Sequence, residues 1–108
     1  MPGEGQGPLT ETVYYTLLAL HVPMHGYGIM QRVQEMSGGR VSIGPGTLYG
    51  ALATLVEKGL IEPTGDEGER KKEYVVTSTG RRVVCAEIDR LDELVRAGRG
   101  IAGGSEKR

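Results

Sequence analysis

The chain has 108 residues, with 13 lysines and arginines against 14 aspartates and glutamates, so its formal net charge is −1. A chain of this length predicts one domain. It contains no run of about 18 apolar residues that could span a membrane, and its start, MPGEGQGP, lacks the basic and apolar regions of a signal peptide. We therefore expect a soluble, cytoplasmic protein without a membrane partner.

Cysteine and glycine usage narrows the class further. Cys85 is the single cysteine, so an internal disulfide is excluded and a secreted disulfide scaffold with it. We expect Cys85 to be a small buried residue of the core. Residues 1–8 and 98–108 are rich in glycine and are predicted to be flexible tails. The remaining core is small, which favours oligomerisation.

The first two helices are predicted from apolar spacing. Residues 9–20 carry apolar side chains at helical intervals, and Thr10 can cap the first turn. Pro23 and two glycines interrupt this pattern. A second helix is predicted from about Tyr27 to Ser37, because two glycines then end the periodicity.

The third helix is predicted to open near Pro45, since proline suits the first helical turn. Leu48, Leu52 and Leu55 form its apolar stripe, and Gly59 ends it. The other side has small, uncharged residues, which we call the small-residue face: Gly46, Thr47, Gly50, Ala51 and Thr54. Such a face can approach a DNA groove closely, and threonine can contact a base or a phosphate.

Tyr49 lies beside that face, and its hydroxyl can donate to a phosphate. The loop glycines before the helix expose backbone N–H groups at its positive end. A purely structural core helix, whose solvent-facing side binds nothing, would have the same periodicity. The pattern alone therefore leaves both interpretations open.

A β-hairpin and a long helix complete the chain. Residues 60–62 and 74–77 are predicted as strands around a charged turn. Thr77 or Ser78 can cap a last helix running to about Ala97. The spacing of Val84, Ile88, Leu91 and Val95 is that of a helix packed along another helix. We expect these four side chains to be exposed in a monomer.

The hairpin turn carries three consecutive cations, Arg70, Lys71 and Lys72. Cations in this arrangement suit phosphate contacts or a narrow minor groove. Four acidic residues flank them, so a solvated surface loop is the competing interpretation: Asp66, Glu67, Glu69 and Glu73. Counting charges does not decide between the two.

Several motifs together resemble the PadR family of transcriptional regulators. These are the runs HGYGI at residues 25–29, GTLYGAL at 46–52, KGLI at 58–61, RKKEY at 70–74 and VTSTG at 76–80. The resemblance covers residues 9–95, and its single last helix is similar to the short subfamily. It implies a mainly α protein with a small β-hairpin. That fold is a winged helix-turn-helix domain (residues 9–77) followed by a dimerisation helix (78–97).

The resemblance also implies a function. A homodimeric repressor would place its third helix in the major groove of a double-stranded DNA operator and its hairpin on the backbone or minor groove. The last helix would dimerise through Val84, Ile88, Leu91 and Val95, which we call the seam. An effector molecule would act through the dimer, but its identity, the operator and the regulated gene are not given by the sequence. Repression and activation are not separated by it either.

Two other function classes stay open. One is a winged-helix module for protein contact, in which the small-residue face meets a protein. The other is a small-molecule sensor with its ligand at the dimer interface. No catalytic residues, metal ligands or cofactor site are predicted: His21 and His25 are separated by Pro23, and the GYG run at 26–28 is too short for a phosphate loop.

Overall fold

The computed structural model describes residues 7–65 and 72–103. The elements follow in the order α1 (Glu11–Ala19), β1 (Met24–His25), α2 (Gly26–Met36), α3 (Pro45–Glu57), β2 (Ile61–Thr64), β3 (Glu73–Val76) and α4 (Ser78–Ala102). This order confirms the predicted fold class, a winged helix-turn-helix followed by a long helix. Within the described ranges, no helix combines the length and apolar character needed to cross a membrane.

Local sequence signals set the helix starts. The Thr10 hydroxyl accepts a hydrogen bond from the Val13 N–H at 3.1 Å, which caps α1. The Thr77 hydroxyl accepts one from the Gly80 N–H at 3.0 Å and caps α4. Pro45 occupies the first turn of α3, as predicted.

The strands form one antiparallel sheet in the order β1-β3-β2. Ile61 pairs with Val76 in the hairpin, and Met24 pairs with Tyr74 on the other edge of β3. The third strand, β1, was not predicted. It has two residues and follows Pro23, so it shows no alternation of its own and exists only because β3 offers it a free edge.

The core is built from apolar residues of all four helices and the hairpin. The largest fully buried side chains are Leu17, Leu20, Ile29, Leu48, Leu52, Ile61 and Val33, with Thr16. The sheet is tied to α1, because the Val76 N–H donates to the Leu20 carbonyl oxygen at 2.8 Å. This packing holds α3 in a fixed position on the surface.

The last helix is longer than predicted. It continues through Gly98 and Gly100 to Ala102, and Gly103 ends it in the left-handed conformation with φ +86°. A glycine inside a helix costs only about 1 kcal/mol relative to alanine, which the neighbouring helix formers offset. Residues 98–102 are therefore helical rather than a tail. Residues 1–6 and 104–108 of the predicted tails lie outside the described residues.

Candidate nucleic-acid interface

The candidate recognition helix, α3, has one buried side and one exposed side. Leu48, Leu52 and Leu55 are at most 3% exposed and pack into the core, as predicted. On the small-residue face, Gly46, Thr47, Gly50 and Thr54 are exposed, while Ala51 is half-buried. No side chain longer than threonine stands on this face, so another molecule can approach the helix closely.

Tyr49 lies at the junction of α3 and α2. It is 52% exposed, and its ring packs directly over the first residue of α2, Gly26. A Cβ at Gly26 would lie 2.8 Å from the Tyr49 Cζ and closer still to the hydroxyl oxygen, so a larger residue here would displace the ring from this position. The absence of a side chain at Gly26 therefore allows the exposed tyrosine to lie at this position.

Tyr27, which was not predicted as a site residue, is also exposed near this surface. Tyr27 is the second residue of α2, is 62% exposed and adjoins the Gly26–Tyr49 contact along the chain. The HGYG run contained the signal, since a tyrosine between two glycines at a helix start is poorly shielded. The Tyr49 ring thus lies where α3 meets the start of α2, and Tyr27 is exposed in the first turn of α2.

The small-residue face also forms one wall of a groove, which we call the α1–α3 groove. Its volume is about 430 Å³, and Pro8, Leu9, Thr10 and Val13 line it on the side of α1. Leu55, Lys58 and Leu60 line it toward the C-terminal end of α3. This groove was not predicted, because it depends on the tertiary packing of two segments far apart in the sequence.

The hairpin, here called the wing, is described only at its base. Its strands pair Thr64 with Glu73, and Gly65 leaves β2 with φ +88°. Lys72 is exposed immediately before β3. The other two predicted DNA-contacting cations, Arg70 and Lys71, lie outside the described residues.

The seam on α4 divides into a buried and an exposed part. Val84 is 3% exposed and belongs to the core, so the expectation that it is exposed is wrong. Ile88 is 45% and Val95 47% exposed, and Leu91 is half-buried. Leu94, at 56%, extends the apolar surface beyond the predicted set.

Cys85 is exposed, which corrects the expectation of a buried cysteine. It follows Val84 on α4, and the helical step of about 100° turns its side chain away from the core that Val84 enters. Within residues 7–65 and 72–103, no group of three histidine, cysteine or acidic residues could hold a metal ion. The His21 Nδ1 is hydrogen-bonded to the Leu17 carbonyl oxygen at 2.9 Å.

A buried carboxylate links α4 to the segment that leads into α1. Glu87, 5% exposed, receives hydrogen bonds from Arg90 at 2.6 and 2.9 Å and from the Leu9 N–H at 3.3 Å. The Arg90 hydrogen bonds hold the pKa of Glu87 below its ordinary value, although burial acts in the opposite direction. The charged form of Glu87 therefore stabilises this junction.

The family is decided by a sequence match over most of the chain. The family model described as "Transcriptional regulator PadR-like family" matches residues 13–86. The chain belongs to the PadR-like family. It is a family of transcriptional regulators, so membership implies regulation of transcription through DNA binding.

Solved structures have the same fold as this PadR-like chain. A PadR family transcription regulator from Clostridium difficile R20291 has a TM-score of 0.70 at 18% identity, over 86% of this chain and 99% of that one. A transcriptional regulator from Clostridium thermocellum has a TM-score of 0.69 at 20% identity, over 84% and 88%. A PadR family regulator from Eggerthella lenta DSM 2243 has a TM-score of 0.62 at 27% identity, over 82% and 73%.

One curated relative is similar in sequence. It is an uncharacterized 37.1 kDa protein in transposon TN4556 of Streptomyces fradiae, 39% identical over 72 residues. The match covers 67% of this PadR-like chain and 20% of that protein. The chain thus spans about a fifth of the length of this relative.

Proposed function

We propose that this PadR-like chain is a homodimeric repressor that reads operator DNA with α3. The observation that carries the proposal is the open small-residue face of a helix whose other side is fixed in the core. The recognition helix of a helix-turn-helix lies in the major groove with its exposed face toward the bases. Thr47 and Thr54 offer hydroxyl and methyl groups to base edges there.

Charge along α3 is compatible with this role. From Ile43 to Val56 the sequence contains no aspartate or glutamate, so no carboxylate on this stretch repels phosphate. Tyr49 is exposed where α3 meets the start of α2, and Tyr27 is exposed in the first turn of α2, so both hydroxyls are free to donate to the DNA backbone in this proposal. The wing cations Arg70, Lys71 and Lys72 add contacts to the backbone or minor groove in this proposal.

The second half of α4 supports dimerisation. Ile88, Leu94 and Val95 remain 45–56% exposed on a helix that extends past the packed core. A second copy would cover them and relate the two recognition helices by a two-fold axis. Two helices so related reach successive major grooves, about one DNA turn apart.

Substitution of Thr54 tests whether the small-residue face contacts DNA. Thr54→Glu introduces a carboxylate facing phosphate and should weaken binding to an operator selected from random DNA by about tenfold or more. Thr54→Gln matches its size without the charge and should lose less. Tyr49→Phe removes one hydroxyl and should cost about 1.5–3 kcal/mol if that hydroxyl meets a phosphate. Melting temperatures check that all three variants fold.

Wild-type DNA affinity in both Thr54→Glu and Tyr49→Phe would contradict the proposal and favour a protein-contact module.

The salt dependence of DNA binding tests the wing cations. Alanine at Arg70, Lys71 and Lys72 should weaken binding to every DNA sequence and flatten the slope of log K against log salt, by about one unit per lost phosphate contact. An unchanged slope would make these cations a solvated loop.

A further inference from the structure

The hydroxyl end of Tyr49 occupies the space that a side chain at Gly26 would fill. A Cβ at Gly26 would lie 2.8 Å from the Tyr49 Cζ and 3.1 Å from its Cε1, and it would overlap the hydroxyl oxygen. Real Cβ atoms essentially never come within 3.0 Å of another side chain in this way. The ring therefore reaches from α3 across to the first residue of α2.

The ring, and not the backbone, requires that Gly26 lack a side chain. Gly26 does not have the positive φ that favours glycine, unlike Gly38 and Gly39 just after the same helix. Gly28 lies in the same first turn of α2, and a Cβ there would meet the Met24 side chain at an ordinary 3.6 Å. Of these two glycines in one turn, Gly26 is the one that leaves space for the tyrosine.

The Tyr49 ring is free to move if that space is filled. It is 52% exposed, so rotation into solvent can relieve its contact with a methyl group added at Gly26. The staggered χ1 rotamers of a tyrosine are about 120° apart, and a change between them carries the hydroxyl off α2. We therefore expect Gly26→Ala to retain the fold and to displace the hydroxyl.

We propose that Gly26 is a positioning residue for DNA binding and acts through Tyr49. This inference rests on the proposed function, in which the Tyr49 hydroxyl donates to a backbone phosphate. The gap at Gly26 lets the ring lie against α2 before DNA arrives. The side chain then loses less rotamer freedom on binding than a freely rotating tyrosine would.

Nuclear magnetic resonance of the DNA-free protein tests the position of the ring. In the wild type, the ε protons of Tyr49 should show a nuclear Overhauser effect to the α protons of Gly26, because the Tyr49 Cε1 lies close to that residue. Gly26→Ala should lose this signal and keep the melting transition of a folded protein. Gly28→Ala makes the same change in the same helical turn and should retain the signal.

Three results of this measurement would overturn the inference. They are absence of the signal in the wild type, its persistence in Gly26→Ala, and loss of the folded state in Gly26→Ala. The last would mean that the contact supports the fold and not the position of the hydroxyl.

Operator affinity separates positioning of the tyrosine from a general distortion of α2. Gly26→Ala should raise the Kd for the selected operator by about tenfold, the scale of one hydrogen bond to a charged group. Gly28→Ala should bind as the wild type does. Because Tyr49→Phe has already lost the hydroxyl, adding Gly26→Ala to it should raise the Kd by less than about twofold more.

The double variant decides whether the two residues act through one contact. Full additivity of the two losses would overturn the positioning role, as would wild-type affinity in Gly26→Ala beside a weakened Tyr49→Phe. Wild-type affinity in Tyr49→Phe would overturn the tyrosine contact of the proposed function, and this inference with it. Failure of the wild type to bind any DNA would overturn the whole proposed function, while the resonance result for the ring would still hold.

Discussion

The two halves of α4 have the same apolar spacing and opposite environments. In the first half, Ser78–Glu87, Val83, Val84 and Glu87 are buried against α1 and the sheet. In the second half, Ile88–Ala102, the same seam continues but Ile88 and Val95 stay about half exposed. Periodicity thus shows which face of a helix is apolar. The tertiary fold determines whether another part of the same chain covers that face.

Leu91→Lys should have the largest effect on this comparison. A charge in the second half of the seam should convert proposed dimers to less stable monomers and weaken operator binding by roughly a hundredfold or more, because two linked half-sites no longer act together. Ala86→Lys adds the same charge on an exposed position of the same helix and should remain dimeric. A dimeric Leu91→Lys protein in sedimentation would remove the seam from the interface.

Two glycines, one in each half, should respond oppositely to alanine. A Cβ at Gly80 would collide with the Leu60 carbonyl oxygen and lie 2.6 Å from a Val76 methyl carbon. Gly80→Ala should therefore destabilise the fold by about 1–3 kcal/mol. At Gly98 a Cβ meets nothing within 4 Å, so Gly98→Ala should stabilise it by about 0.5–1 kcal/mol. Urea unfolding at equal protein concentration measures both, and effects of the same sign would contradict the packing described.

Two ion pairs on α4 should differ in their contribution to the free energy of unfolding, by a smaller amount than the two glycines. Glu87 is buried against Arg90 and Leu9, whereas Asp92 and Arg96 are 55% and 75% exposed. Glu87→Gln should cost about 1–3 kcal/mol, and Asp92→Asn less than about 0.5 kcal/mol.

The pH dependence gives a second readout of the same pair. Because the pKa of Glu87 is lower in the folded chain than its ordinary value of 4.5, its contribution is complete above that value and is lost as pH falls below it. Glu87→Gln should flatten the acid limb of a plot of stability against pH. An acid limb identical to that of the wild type would show that Glu87 does not carry this effect.

The sequence predicted what local chemistry determines and missed what tertiary contact determines. Leu48, Leu52 and Leu55 with Pro45 sufficed to place α3 and its buried side, because periodicity and a helix-start signal agree there. The strand β1 was missed because its two residues become a strand only on the edge of β3. The burial of Val84, the exposure of Cys85 and the α1–α3 groove likewise depend on which elements pack together.

The stoichiometry of the chain on its own operator tests the central claim most directly. Sedimentation velocity of the protein with an operator chosen from random DNA should give two chains per site, and the selected sequence should contain two related half-sites about 10 base pairs apart centre to centre. A single chain on an asymmetric site, or no preference among random sequences, would contradict a two-fold pair of reading helices.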